Sequence, residues 1–357
     1  MIYDAIIVGA SFAGLACARR LAQAGRRVLV IERKKEPGQA CHTTGIVVKE
    51  AAAGLDLPAH LTRPISRVRL YSPSLDHIEL TSDDYFFLAT DTPAMLRHLA
   101  HRAVAAGVEI RLGCAFPGAT LLPEGGVTLP QLGLTARYLI GADGPRSAVA
   151  KAFGLGQNRE FLVGVEAEFA SADLPATDAF HCFLNQDFAR GYIGWVVPGV
   201  EVVQVGLATR SPTTPDIDGF IARIGPMFGL ARETIIARRG GLIPIGGVVD
   251  PVSAGNVILL GDAAGTVSPL SAGGIHTADH YGNLLAEAII AHDEGGPHPA
   301  AAIARAYPRF RAKHIQRFVF ERFAPNWALD LLLTNPLFKL LARLVFFRKK
   351  RLKGGQN

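Results

Sequence analysis

The sequence predicts an α/β fold: a Rossmann-type parallel sheet flanked by helices, with an inserted antiparallel sheet and a helical C-terminal segment. Three observations lead there. A buried strand, a glycine-rich turn and an apolar-periodic helix open the chain. Two further strand-to-glycine junctions follow near residues 140 and 260, and alternating strand patterns fill the stretches between them.

The opening unit ends at Glu32. YDAIIV at 3–8 reads as a buried strand, and GASFAG at 9–14 leads into a helix with apolar Leu15, Ala18 and Leu21. Gly25 ends that helix, and RVLVIE supplies a second strand. In such a βαβ unit Gly9 permits the tight turn and Gly14 lets helix and strand approach. Phe12 and Ala13 begin the helix, whose unpaired N–H groups and positive dipole end suit a pyrophosphate. Ser11 stands where a middle glycine is usual, and its side chain is small enough to admit phosphate. Glu32, followed by Arg33, is the acid expected at an adenosine ribose.

The second junction, YLIGADGPRSAV at 138–149, places Gly141, Asp143, Gly144 and Arg146 between a short strand and a helix. In the third, VILLGDAAGTVSPLSAGGI at 257–275, a buried strand meets Gly261 and Asp262; Pro269, Gly273, Gly274 and Ile275 follow at a helix entry. In this order the motifs resemble the FAD-dependent oxidoreductases of the aromatic-hydroxylase superfamily, the group A monooxygenase-like flavoproteins that include geranylgeranyl reductases and halogenases. The resemblance covers about residues 1–295. It implies bound FAD, with Asp262 accepting from a ribityl hydroxyl and Gly273 and Gly274 offering N–H groups near the pyrimidine end of the ring.

Two stretches resemble the geranylgeranyl-reductase branch. RKKEPGQACHTTGIV after Glu32 sets Pro37 four residues before Cys41, similar to that family's loop beside the flavin, with His42, Thr43 and Thr44 replacing some of its glycines. The resemblance implies a Cys41 thiol near the ring, a candidate for cofactor contact and catalysis. The alternative is a small buried residue in a loop. GYIGWVVPGVEVVQVGLA at 191–208 is similar to the branch's substrate-cavity pattern at Trp195, Pro198 and Gly206, and departs from it at Ile193, Val197 and Ala208. Ile193, Trp195, Val197, Pro198 and Gly206 are the candidate substrate contacts; an ordinary core strand is the competing reading. Halogenases need a lysine between flavin and substrate, and none occurs from 50 to 150 or from 152 to 312. Aromatic hydroxylases commonly carry an arginine at the start of the helix that begins here near Asp91, whereas this chain has Arg97 a turn or two later.

Alternating patterns such as SRVRLYSP, HIELTS and FLVGVEAEFA assign 61–88 and 156–240 to a substrate domain. It is inserted into an FAD-binding domain of 1–60, 89–155 and 241–295, and residues 296–357 form a helical cap with a basic tail. An apolar fraction of 49% excludes a disordered chain and leans toward apolar ligands. The four cysteines form no C-x-x-C pair, so no metal site is expected, and with a strand at the N-terminus in place of a signal peptide they suggest a cytoplasmic setting. Residues 297–357 hold thirteen Lys/Arg against Glu321 and Asp330. The segment 318–348 is rich in Phe, Leu and Trp, but Pro325, Asp330, Pro336, Lys339 and Arg343 interrupt it, and it falls short of the ~20 apolar residues of a spanning helix. Two short amphipathic helices followed by RKKRLK at 348–353 fit either a cap on the cavity or a peripheral contact with anionic lipid. No nucleic-acid motif accompanies the charge.

The resemblance implies hydride transfer from flavin N5 to a carbon–carbon double bond of an apolar, isoprenoid or lipid, substrate. NAD(P)H or another reductant, docking transiently, or a redox partner protein would resupply electrons, because no second dinucleotide fingerprint is present. His42, His77, His181 and His276 are the candidate proton sources. The rivals are an FAD monooxygenase acting on an apolar substrate and a flavin-binding lipid carrier without turnover.

Overall fold

In the computed structural model, which describes residues 2–347 apart from 171 and 324, five strands from separated parts of the chain form one parallel sheet. Their spatial order is Val257–Leu259, Leu134–Gly141, Ile2–Val8, Val28–Glu32 and Glu109–Leu112. Ile2–Val8, Val28–Glu32 and Val257–Leu259 are nearly continuous apolar runs, as buried parallel strands are. The register aligns the motifs: Val8 lies opposite both Gly141 and Ile31, and Gly141 lies opposite Leu259. All three glycine-rich junctions therefore leave the sheet at one edge, the carboxyl ends of the strands, where open α/β sheets take ligands.

The first helix, Phe12–Gln23, ends at Ala24, with Gly25 in the left-handed region at φ +75°. The helix expected near Asp91 runs Thr92–Ala105, and the Asp91 carboxylate accepts from the Ala94 N–H at 3.0 Å.

A seven-stranded sheet is built from Arg67–Tyr71, His77–Thr81 and five strands between Phe161 and Pro244. It differs from the expectation in three ways. The pair Arg67–Tyr71 and Ala179–Phe183 is parallel, so the sheet is mixed. The strand Ile235–Pro244 runs past the boundary expected at 240. Thr62–Ile65 and Phe87–Thr90 join neither large sheet; they pair with Ile46–Val48 in a third, three-stranded sheet. One face of the seven-stranded sheet packs Tyr71, Phe169, Phe183 and Val196 against Phe220 and Phe228 of the helix Ile217–Phe228. The other face, carrying Trp195, Val197 and Ala208, turns toward the parallel-sheet body.

Three helices, Arg311–Phe323, Asn326–Leu333 and Pro336–Phe347, end the described chain where two were expected. Pro325 and Pro336 each begin a new helix, since proline is tolerated at a helix start and not inside one. Among the described residues no helix is long and apolar enough to cross a membrane. The basic run 348–353 lies outside the described residues.

Candidate active site

The loops leaving the carboxyl edge of the parallel sheet wall a cavity of about 1900 Å³, roughly twice the ~1000 Å³ upper end of ordinary ligand pockets. Its first part is the dinucleotide seat. Gly9 has φ +110°, and a Cβ there would lie 2.3 Å from the Ala142 carbonyl oxygen; at Gly14 it would lie 2.1 Å from that of Gly9. Only bare backbone lets strand, turn and helix pack this closely. Ser11 caps the helix Phe12–Gln23 without a side-chain capping bond, so the first-turn N–H groups are left for a ligand. Glu32 is held at the cavity wall: the Ala10 N–H donates to its Oε2 at 2.8 Å and the Lys34 N–H to its Oε1 at 2.9 Å. Both oxygens keep lone pairs for ribose hydroxyls.

The second junction shows a division of labour. Asp143 accepts from Ser147 Oγ at 2.6 Å, Ala148 N–H at 2.7 Å and Val149 N–H at 3.1 Å, so its carboxylate is committed to the helix start. Its neighbours Gly144 and Arg146 line the cavity with it. At the third junction Asp262 stands in a short 3-10 turn, and a Cβ on Gly274 would lie 3.6 Å from its Oδ1. Surrounding protein pushes the Asp262 carboxyl from 3.8 up to about 6, although water reaches the group through the cavity. Gly273, Gly274 and Ile275 lie beside it where the helix Ile275–Asp293 begins. The close-packed glycines, free helix N-terminus, ribose acid and second acid fit FAD.

Beyond this seat the wall is the loop Cys41–Gly45 and the inner face of the seven-stranded sheet. Cys41 is buried at the cavity edge. Burial raises its thiol pKa, opposed by a hydrogen bond from the Thr43 backbone and by the Arg239 charge, so the proton stays on Sγ at neutral pH. The loop is tied down by a buried carboxylate. Glu166, 5% exposed, accepts from Thr44 Oγ1 at 2.5 Å, from the Trp195 indole N–H at 2.9 Å and from Arg239 Nε at 2.7 Å. A second guanidinium nitrogen, Arg239 Nη2, bonds Glu166 as well and reaches Glu168 at 2.9 Å. Sequence reasoning missed this network. The available signal was two glutamates two residues apart in the strand Phe161–Phe169, hence on one face of an otherwise apolar strand.

Ile193 and Trp195 line the cavity; Val197, Pro198 and Gly206, expected as contacts, do not. Val197 shares Trp195's face but is fully buried further along the strand, and Pro198 ends the strand opposite Val203. Gly206 acts through Trp195, since a Cβ there would meet the indole at 2.5 Å. Pro269 also stands back from the cavity. Its carbonyl accepts from Arg317 Nη1 at 2.7 Å, and Arg317 Nη2 donates to the Gly191 carbonyl at 3.0 Å. Lysine-free stretches bounded the halogenase argument, but Lys313 folds back onto the cavity wall and donates to Ser268 Oγ at 3.0 Å. Of the four histidines, His42 and His276 line the cavity. His181 is buried in the second core between Tyr71 Oη and the Ala176 carbonyl, and burial lowers it to about 4. Exposed His77 lies with its ring 5.0 Å from that of Tyr71 and tilted to it by 34°. Arg97 pairs with Glu36 at 3.2 Å and stays off the cavity wall. Among the described residues no cluster of metal ligands exists.

Residues 93–319 match the FAD binding domain family, and 7–71 match the NAD(P)-binding Rossmann-like domain. The chain belongs to the FAD binding domain family and is an FAD-dependent oxidoreductase. Within that class it is geranylgeranyl reductase-like. It is 28% identical to digeranylgeranylglycerophospholipid reductase 2 of Methanopyrus kandleri, over 90% of this chain and 85% of that one. It is also 28% identical to the geranylgeranyl diphosphate reductase of Rhodobacter capsulatus, over 86% and 80%. The fold superimposes on a geranylgeranyl bacteriochlorophyll reductase-like protein of Thermoplasma acidophilum with a TM-score of 0.82 at 20% identity, covering 98% of this chain and 97% of that one.

Proposed function

We propose that this enzyme reduces carbon–carbon double bonds in a long isoprenoid chain, free or carried on a lipid. The observation that carries the reading is the apolar extension of the cavity beyond the dinucleotide seat. Phe180, Leu184, Ile193 and Trp195 line it on the sheet side, and Leu332 and Phe338 on the helical side. Such a space shields a polyprenyl chain from water and offers it few polar partners. Relatives named for reducing geranylgeranyl chains support the same substrate class.

FAD held by the three junctions supplies, when reduced, a hydride from N5 to one alkene carbon. The chain's own residues do the rest. Trp195, fixed by its indole bond to Glu166, sets one wall against which the chain lies. Cys41 Sγ, kept protonated by burial, stands at the cavity edge to release a proton to the neighbouring carbon. His42, whose pKa burial lowers, lies next to it as a route for reprotonation. Electrons return from NAD(P)H or another reductant that docks transiently, or through a redox partner protein.

The test is anaerobic: photoreduce the flavin, add geranylgeranyl lipid, and follow absorbance at about 450 nm. Reoxidation without oxygen, with a saturated product, is the expected result; a flavin that stays reduced until oxygen enters refutes the reading in favour of a monooxygenase. Cys41→Ser should slow product formation while flavin content stays unchanged, and full turnover would remove the thiol from the mechanism.

A further inference from the structure

The three C-terminal helices all turn large apolar side chains outward, and on the first of them the usual amphipathic orientation is reversed. On Arg311–Phe323 the inward face is polar: Arg317 is 7% exposed and bonds two loop carbonyls, Glu321 pairs with it at 2.6 Å, and Lys313 bonds Ser268. The outward face carries Ile315, Phe318 and Val319 at 65, 62 and 49% exposure. Asn326–Leu333 does bury Leu329 and Leu333 but exposes Trp327 and Leu331, and Pro336–Phe347 exposes Leu337, Leu340, Leu341, Leu344 and Val345 at helical spacing. Of the fifteen large apolar side chains exposed among the described residues, ten lie between Ile315 and Val345, so this is a patch and not ordinary scatter.

Two further observations say what covers it. Ile315, Val319, Leu341, Leu344 and Val345 are at once exposed on this face and part of the cavity wall, so the cavity opens through the apolar patch. The chain then continues from Phe347 into RKKRLK at 348–353, five positive charges in six residues with no acid among them. An apolar face followed directly by a basic run is complementary to an anionic bilayer: hydrocarbon for the helix face, headgroup charge for the tail.

We propose that this face is a docking surface for an anionic lipid bilayer, seated so that the cavity mouth opens into the lipid and a prenyl chain enters without crossing water. The entry route rests on the isoprenoid reading; the docking itself does not. On binding, Trp327, Leu331 and Leu340 insert at the headgroup boundary, while the polar inward face keeps its bonds to the flavin-side loop.

The experiment is flotation of the full-length, flavin-loaded protein with vesicles of equal phosphatidylcholine and phosphatidylglycerol, and with phosphatidylcholine alone. The expected result is co-flotation that is several-fold weaker without phosphatidylglycerol. The combined variant Trp327→Glu, Leu331→Glu, Leu340→Glu should retain its flavin and lose vesicle binding at least tenfold; these three positions lie off the cavity wall. Wild-type protein that stays with the unbound fraction, yet still reduces detergent-dispersed geranylgeranyl lipid, overturns the docking and leaves the reductase reading intact. Flotation without any reduction does the reverse. A wild-type dimer that the variant converts to monomer, with no vesicle binding by either, assigns the face to a second copy of the chain and also overturns the proposal.

Discussion

Replacing Glu166 with leucine should cost this protein a large part of its stability, and the structure says why. The carboxylate is 5% exposed and accepts from Thr44, from Trp195 and from two nitrogens of Arg239. Leucine fills the volume but leaves the hydroxyl, the indole N–H and most of a guanidinium without an acceptor. Removing one partner of a buried ion pair costs about 3–5 kcal/mol. Glu168, 2.9 Å from Arg239, holds the figure near the lower end. With an unfolding entropy of about 2.1 cal/mol/K per residue, a chain of 357 residues gives about 0.75 kcal/mol/K. The predicted loss in Tm is therefore roughly 4–5 °C. Thermal melts of the flavin-free protein measure it. Glu166→Leu combined with Arg239→Leu removes both charges and should recover most of the loss. If the double variant melts no higher than the single one, the pair is not the source of the penalty and the reasoning fails.

Other expectations follow from close contacts and from one titration. Gly9→Ala puts a methyl group 2.3 Å from the Ala142 oxygen in a left-handed turn, so flavin content after purification should fall at least tenfold, read from the visible-to-ultraviolet absorbance ratio; normal loading would contradict the placement of the pyrophosphate. Gly206→Ala should displace the Trp195 indole and raise the KM for a prenyl substrate while flavin content stays unchanged, and an unaltered KM would detach Trp195 from the substrate wall. Asp262 binds its proton more tightly folded, at about 6, than at its ordinary 3.8. The flavin-free protein should therefore lose stability from this group as pH rises through that window, with the penalty complete above it. Asp262→Asn should flatten that slope in denaturation at pH 4, 5 and 6, and an unchanged slope would show that the carboxyl is not the titrating group.

The parallel sheet was legible because its signals are local. Glycine after a strand, helix after glycine and acid after the next strand are set by backbone sterics within a few residues, and Gly9, Gly14, Glu32 and Asp262 fall where those rules put them. What escaped depends on contacts across the chain. Glu166 and Arg239 are unremarkable in their own strands and become a site only when pairing sets Glu166 opposite Arg239. Lys313 and Arg317 bind Ser268 and Pro269 because their helix folds back over the flavin-side loop, a contact that no local pattern carries. Pro198 matched a sequence pattern and Val197 departed from it, and strand register sends both side chains into packing. Motif spacing fixes a local turn and says little about which wall a distant strand will present.

The interleaving of the parallel sheet has a consequence for synthesis. The strand Val257–Leu259 completes the sheet beside Leu134–Gly141, and Gly261 and Asp262 follow it. A nascent chain that has already made its first glycine-rich turn must wait for more than two hundred further residues before the opposite wall of the flavin seat exists. At about 5–20 residues per second that is roughly 10–50 s on the ribosome. Cofactor capture is therefore a late event, and until then the strand Leu134–Gly141 has an open edge at Leu139–Gly141 that the cell must keep from pairing elsewhere.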